Sequence, residues 1–289
     1  MSIEQAERPS GASMPAAPAA APPPRRATGE PPLWLTIGLG AAYLVALAVL
    51  VFYPGATLLD RLRALDGGIC AQAPSHSFFI ASQQLPLCSR NTGIYLGFAC
   101  TALVLLGSGR LRAALFPSRG VILALGLAFI FMAEDGLNSF FLDLGLPHPY
   151  QPFNPLRLVS GLGAGVAMAA FILPVANTLI WRQEDARPSF RGFGQLGVML
   201  PVLLLAFLAV ISQTDFLLYP IAILSSLGLA LALTLVNVVF ILGLTNRVGR
   251  FATWRQLFPF ASIALVLAVI ELMALFALKT TVMQALTPH

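Results

Sequence analysis

Seven long apolar stretches, separated by segments that carry arginines, constrain this chain more than any other feature of its sequence. A helix that crosses a bilayer needs about 20 apolar residues, because the hydrocarbon layer is about 30 Å thick and each helical residue rises 1.5 Å. The second stretch is shorter than the others and lies within the uncharged window 91–109. The stretches cover residues 33–53, 93–106, 121–142, 158–181, 193–212, 217–244 and 257–278. The sequence therefore predicts an all-α, polytopic membrane helix bundle with about seven transmembrane helices.

The composition excludes an ordinary soluble protein. Hydrophobic residues make up 57% of the 289 residues and charged residues only 10%, whereas soluble domains have about 25% charged residues. The net charge of +5 does not indicate nucleic-acid binding, because such binding needs a basic surface on a soluble domain and no such domain is predicted. The expected partner is the lipid bilayer, and other membrane subunits can also be partners.

The arginines predict the orientation of the bundle. Residues 1–32 contain eight of the 22 prolines and no apolar run, which is typical of a disordered tail. With that tail in the cytoplasm, twelve basic residues lie inside and five outside, the bias that membrane proteins show. We therefore predict an N-terminus inside and a C-terminus outside, in the plasma (inner) membrane of a prokaryote.

The longest outer connection, residues 54–92, has two segments with a structural signal. From Ala56 to Leu65, apolar and charged residues recur at helical spacing, which predicts a short interfacial helix that ends at Gly67. Residues 77–85 are apolar but too short to span a membrane. They either enter the membrane or lie on it under cover of protein, or they form a surface loop with buried phenylalanines.

Two motifs in this region are characteristic of a known family. Residues 85–97 read LPLCSRNTGIYLG, and further along the chain stand Asp135-Gly136, the segment NPLR of residues 154–157, and Gly161. These motifs resemble the uncharacterised membrane family called domain of unknown function 2085. The resemblance covers roughly residues 61–181 and implies a membrane location without a defined activity.

The chain departs from the family pattern at two positions. Ala71 stands where the family usually has a histidine, and His76 stands where it usually has an arginine. The last three spans have no recognised counterpart in the family. We therefore divide the chain into a cytoplasmic tail, residues 1–32, a four-span membrane domain, residues 33–181, and a three-span extension, residues 182–289.

Two cysteines of the outer loop allow three arrangements. Seventeen residues separate Cys70 from Cys88, and a disulfide between them would stabilise the fold by roughly 3 kcal/mol. They can also remain unlinked thiols. A metal site with His76 and His148 is the third arrangement, although the spacing lacks a compact ligand pair. Cofactors other than such a metal are not indicated.

Charged side chains inside the membrane predict a polar site near the outer surface. Glu134 and Asp135 lie about 22 Å from the inner end of their span, where an ionisable group must face protein or water. Arg90 and Arg157 lie at the outer starts of the second and fourth spans and are the expected partners of these carboxylates. The complete candidate site contains Cys70, His76, Cys88, Arg90, Asn91, Glu134, Asp135, Asn138, Asn154 and Arg157. The alternative is a set of structural ion pairs that holds the outer loop on the bundle.

Polar and small residues elsewhere in the spans favour packing roles. Glu271, with Asn237 and Asn177, can form a proton or ion relay, but interhelical hydrogen bonding is the simpler role. The glycines of residues 161–165 lie inside a span and follow no strand, so they indicate close helix packing rather than a nucleotide loop.

Three classes of function are compatible with these features. The outer site can bind or transport a small anion, an ion or a lipid headgroup. It can instead belong to a membrane enzyme, dependent on a metal or a thiol, that acts at the outer interface. The chain can also be an accessory subunit of a larger membrane complex. No strong catalytic motif occurs in the sequence.

Overall fold

The structure, a computed structural model, describes residues 31–33, 37–41 and 57–286. The predicted tail and most of the predicted first span therefore lie outside the described residues. Within the described part, eight α-helices dominate and four short strands occur in the connections. The helices are α1 (Leu58–Asp66), α2 (Ser89–Gly107), α3 (Arg119–Asp143), α4 (Asn154–Ile180), α5 (Phe193–Gly197), α6 (Met199–Ile211), α7 (Leu218–Leu244) and α8 (Trp254–Leu286).

Five helical segments are long and apolar enough to cross a membrane, which confirms the predicted class of helical membrane bundle. They are Arg119–Asp143, Asn154–Ile180, Phe193–Ile211, Asp215–Leu244 and Trp254–Ala285. Helix α2 occupies the second predicted stretch but is more polar than these five. The third segment contains both α5 and α6, which meet at Val198. The protein is thus a multi-pass membrane protein, and the total of seven spans stays a prediction.

Glycines bring α2 into close contact with α4. A methyl group on Gly161 would meet the backbone of Arg90 and Gly93, and one on Gly97 would meet the backbone of Leu162. These contacts advance along both helices in the same direction, so α2 and α4 are parallel. They confirm that the glycines of residues 161–165 serve helix packing.

The outer loop folds onto the bundle as a helix and a hairpin. Helix α1 confirms the predicted short helix, whose interfacial position stays a prediction, and it begins with a capping box between Thr57 and Asp60. Strands β1 (Phe79–Ile80) and β2 (Gln83–Gln84) pair antiparallel around a turn with positive φ at both central residues. Phe78 before this hairpin is buried, whereas Phe79 is 42% exposed. The segment 77–85 is therefore a loop with one buried phenylalanine.

The arginine-rich connections meet at the opposite end of the bundle. Strand β3 (Ala113–Leu115) pairs with β4 (Asp185–Pro188) in parallel. Asn177 at the end of α4 donates to the carbonyl oxygens of Leu111 and Ala113 at 2.8 and 2.9 Å. We call this end the inner end and the end that carries α1 the outer end, after the predicted orientation.

The amide in α7 has the packing role that the sequence favours. Asn237 Nδ2 donates to Glu271 Oε2 at 3.0 Å and links α7 to α8. Asn177 lies apart from this pair and holds the inner connection instead. Interhelical hydrogen bonding of Glu271 is therefore confirmed.

Candidate functional site

Asp135 is the centre of a buried hydrogen-bonded cluster at the outer end. Its side chain is fully buried, and its carboxylate forms an ion pair with Arg90 Nη2 at 2.5 Å. The Tyr150 hydroxyl donates to Oδ1 at 2.9 Å, and the Ser160 hydroxyl donates to Oδ2 at 3.4 Å. Because a buried carboxylate needs such compensation, these contacts satisfy Asp135 completely. The outer cluster, as we name it, consists of Arg90, Asp135, Asn138, Ser139, Tyr150, Asn154, Arg157 and Ser160.

A second guanidinium of the outer cluster has only neutral hydrogen-bond partners. Arg157 is 4% exposed; its Nε donates to Ser139 Oγ at 3.3 Å and its Nη1 to Asn154 Oδ1 at 2.9 Å. Nε of Arg90 is also buried and has no acceptor among the described residues. Two guanidinium groups therefore share one buried carboxylate, and the cluster carries excess positive charge.

Helical spacing places these side chains on facing surfaces. Asp135, Asn138 and Ser139 lie on one side of α3, because residues three and four apart share a helix face. Asn154 and Arg157 lie on the first turn of α4. The network also attaches loops: Asn138 Nδ2 donates to the Tyr150 carbonyl at 2.9 Å, and Asn154 Nδ2 donates to the Ser77 carbonyl at 3.1 Å.

The two outer cysteines form a separate group. Both are free thiols, and the Cys88 backbone N–H donates to Cys70 Sγ at 3.1 Å. Hydrogen bonds from Cys88 lower the pKa of the Cys70 thiol to about 6, with a further contribution from the Asn91 side chain. The hydrogen bond that the Cys88 thiol makes to Cys70, together with burial, raises the pKa of Cys88. Asn91 thus belongs to this thiol pair rather than to the outer cluster.

His76 lies at the rim of the outer cluster. Its Nε2 is 3.2 Å from Asp143 Oδ1 at the end of α3. Burial and the positive charge of Arg157 lower the pKa of His76, while Asp143 opposes the shift. His148 contacts the Leu146 carbonyl instead. Across the described ranges, no three His, Cys, Asp or Glu side chains come together in a way that would hold a metal. The four predicted metal candidates are therefore not assembled.

The expectation for Glu134 is wrong. Its side chain is exposed on α3, whereas Asp135 beside it is buried. Successive residues on a helix point about 100° apart, so only one of the two carboxylates can face Arg90 and Arg157. None of the ion pairs in the described part of the chain includes Glu134.

The outer end also contains polar residues that the sequence motifs do not predict. Asp66 is fully buried and accepts a hydrogen bond from Ser226 at 2.6 Å. Its spacing from Leu59 and Leu62 places it on the buried face of α1, and that spacing could have identified it. Tyr150 lies in a loop, where no periodic signal exists.

Comparisons with known proteins agree with the resemblance found in the motifs. The family model described as predicted membrane protein (DUF2085) matches residues 70–171. The uncharacterized protein MJ1492 of Methanocaldococcus jannaschii is 30% identical over 122 residues, which are 42% of this chain and 72% of that protein. No solved structure matches the chain. The segment matched by the family includes the whole outer cluster and the thiol pair.

Proposed function

We propose that this chain, which belongs to the DUF2085 family of predicted membrane proteins, binds a small anion or an anionic lipid headgroup at its outer end. The observation that carries the proposal is the excess positive charge of the outer cluster. Arg157 is buried among neutral partners, while Asp135 already has Arg90, Tyr150 and Ser160. The carboxylates of Asp135 and Asp143 act on Arg157 only at a distance, without a hydrogen bond to it among the described contacts. A buried charge that lacks a directly paired counterion is costly, and an anion bound to Arg157 would lower that cost.

The rim of the outer cluster is partly open at the outer end of the bundle. The His76 side chain is 23% exposed, and Asp143, its partner, is half exposed. Because the pKa of His76 is lowered, this ring is neutral at pH 7 and neither repels nor strongly attracts an anion. Protonation below the ordinary histidine range adds a third positive charge, so anion binding should strengthen as the pH falls.

Ligand-dependent melting of the purified protein in detergent tests the proposal. A ligand that binds the folded state raises the melting temperature with its concentration. Inorganic phosphate should raise the melting temperature of the wild type, and Arg157→Gln should abolish that increase. The conservative variant Arg157→Lys, which keeps the charge, should retain part of it. Arg119→Gln is the matched control, because Arg119 is an exposed arginine at the inner end.

An anion-binding role and a purely structural role of the outer cluster predict different melting behaviour. If the cluster only holds the loop on the bundle, Arg157→Gln lowers the melting temperature at every phosphate concentration by the same amount. An unchanged phosphate response in Arg157→Gln contradicts the proposal. Phosphatidylglycerol in place of phosphate then distinguishes a headgroup site from a site for a free anion.

A further inference from the structure

A polar cavity of about 660 Å³ lies at the inner end of the bundle, far along the helices from the outer cluster. Within the described residues, its arginines differ in their partners. Arg187 forms an ion pair with Asp185 at 2.6 Å, whereas neither Arg112 nor Arg182 belongs to any of the described ion pairs. The charged and aromatic side chains that line the cavity are Arg112, Arg182, Glu184, Asp185, Arg187 and Trp254.

Arg112 is held in place by an aromatic ring, and its charge acts on the nearby Asp185 carboxylate without forming an ion pair with it. Its guanidinium lies over the ring of Trp181, 3.7 Å from the ring centroid, and Trp181 in turn packs edge-on against Trp254. A cation–π contact orients a guanidinium but leaves its N–H groups available for an anion. Arg182 is exposed, and its backbone N–H donates to the Phe251 carbonyl at 2.8 Å. The cavity thus offers two guanidinium groups that form none of the described ion pairs.

An apolar cleft of about 390 Å³ adjoins this cavity. Side chains of α2, α4, α7 and α8 line it, nearly all of them Ala, Leu, Ile or Val. Leu106, Leu111 and Trp254 line both the cavity and the cleft. The positively charged cavity therefore lies at the inner end of the bundle, and the apolar cleft continues from it along the bundle axis.

We propose that the cavity and the cleft together hold one anionic phospholipid, with its phosphate at Arg112 and Arg182 and one acyl chain in the cleft. Arginine suits this ligand, because its planar fork donates two parallel hydrogen bonds to phosphate oxygens. Trp254 lies where the cavity meets the cleft, and tryptophan prefers the level of the lipid headgroups. The site is distinct from the outer cluster and does not depend on the function proposed for it.

Native mass spectrometry of the detergent-purified chain with phosphatidylglycerol tests the charged half of the site. Each basic residue near an anionic headgroup contributes a factor of about five in affinity. The double variant Arg112→Gln/Arg182→Gln should therefore bind phosphatidylglycerol about 25-fold more weakly. Arg119→Gln, an exposed inner arginine outside the cavity, is the matched control and should leave the affinity unchanged. The single variant Arg182→Gln keeps the contact between Arg112 and Trp181 and should show about a fivefold loss.

A variant that fills the cleft tests the apolar half. Ala261 lines the cleft, so Ala261→Phe should displace the acyl chain and lower the affinity for phosphatidylglycerol without a change in charge. Ala133→Phe adds the same volume on an exposed part of α3 and is the control. Inorganic phosphate should bind much more weakly than phosphatidylglycerol, because it cannot use the cleft.

Three results would overturn this proposal. The first is equal affinity of the double arginine variant and Arg119→Gln for phosphatidylglycerol. The second is an unchanged affinity in Ala261→Phe together with equal binding of inorganic phosphate, which would define a site for free phosphate. The third is equal binding of phosphatidylcholine, which would show an apolar groove without selection of charge. All of these affinities are measured in an Arg157→Gln background, which removes the outer cluster as a source of phosphate or phosphatidylglycerol binding, so failure here and failure at the outer cluster are distinguishable.

Discussion

At the scale of single residues, the Asp66 carboxyl connects the outer loop to α7 and couples the fold to pH. Ser226 donates to one carboxyl oxygen at 2.6 Å, and the other oxygen is buried without a partner among the described residues. Burial raises the pKa of Asp66 to about 7, the Ser226 hydrogen bond opposes the shift, and the nearby Cys70 adds to it. The folded protein therefore favours the neutral carboxyl.

Replacing Asp66 with asparagine should stabilise the protein at pH 8 and change little at pH 4. The unfolded carboxyl loses its proton near pH 4 and the folded one near pH 7, so wild-type stability falls as the pH rises between these values. A pKa that rises from 3.8 to about 7 corresponds to a penalty of about 4 kcal/mol above pH 7. Melting temperatures measured from pH 4 to 8 should show this fall for the wild type and a flatter profile for Asp66→Asn.

An exposed carboxylate provides the control for this measurement. Glu184 at the inner end is exposed, so Glu184→Gln should reproduce the pH profile of the wild type. An Asp66→Asn profile parallel to that of the wild type would show that Asp66 does not cause the pH dependence.

The thiol pair should close into a disulfide when an oxidant such as diamide is added. Cys70 is the reactive partner, because its lowered pKa favours the thiolate that attacks in disulfide exchange. A bridge to Cys88 would close a loop with 17 intervening residues and stabilise the fold by roughly 3 kcal/mol. Peptide mass spectrometry without reductant should find this bridge in a Cys100→Ser background, together with a higher melting temperature. Cys88→Ser should show neither change; a bridge absent after oxidation would favour a purely structural role for the thiols.

The residue scale also shows how far the sequence could predict the site. Asp135 and Arg90 were paired correctly, because a charge inside a membrane requires a partner. Glu134 is exposed although it adjoins Asp135 in sequence, because successive helical residues point about 100° apart. The hydroxyl of Tyr150 and the excess charge around Arg157 depend on loop positions and distances between helices, which periodicity does not contain.

At the scale of the elements, glycine determines how closely α2 and α4 approach. Gly161 faces the backbone of α2, and a Cβ there would clash with the Arg90 carbonyl and the Gly93 Cα. Gly126 on α3 has open space around it, since no heavy atom of the described residues lies within 4 Å of its added Cβ. The helix contact therefore requires a glycine at position 161, whereas no such contact requires one at position 126.

Changing each glycine to alanine should give opposite effects. Gly161→Ala should destabilise the bundle by about 1–3 kcal/mol, because the backbones must separate to accept the methyl group. Gly126→Ala should be neutral or stabilise α3 by up to about 1 kcal/mol, since alanine loses less backbone entropy in a helix. Thermal unfolding in the same detergent compares the two, and equal effects would contradict the proposed role of Gly161.

Helices were predicted more accurately than the connections between them. Apolar length identified all of the helices that now qualify as spans, since burial in lipid leaves a long continuous signal. The hairpin of residues 77–85 was not predicted, because its turn uses Ala81 and Ser82 at positive φ. Asparagine and glycine usually mark such turns, and neither stands at these two positions.

At the scale of the whole molecule, hydrogen bonds and close backbone packing link the outer loop to the last helix. Lys279 Nζ near the end of α8 donates to the Cys70 carbonyl at 2.8 Å and to the Gly67 carbonyl at 3.3 Å. Gly68 lies against the backbone of Leu272 on the same helix. The C-terminal extension is therefore attached to the loop that carries the family motif, and residues of α7 belong to the same apolar core as α2 and α4.

Reporter fusions should place the C-terminus on the side opposite to Arg119. Five candidate spans follow one another from Arg119 onward, and an odd number of crossings ends on the opposite side. The excess of arginines in the inner connections predicts that Arg119 lies in the cytoplasm. In a bacterial host, alkaline phosphatase fused after residue 146 or at the C-terminus should therefore be active, whereas fluorescent protein fused after residue 183 should be bright. Because α2 runs parallel to α4, a phosphatase fusion after residue 109 should be inactive. A bright fluorescent fusion at the C-terminus would contradict the predicted orientation. The end of the bundle that we call inner would then face the outside of the cell, and the lipid proposed for its cavity would come from the outer leaflet.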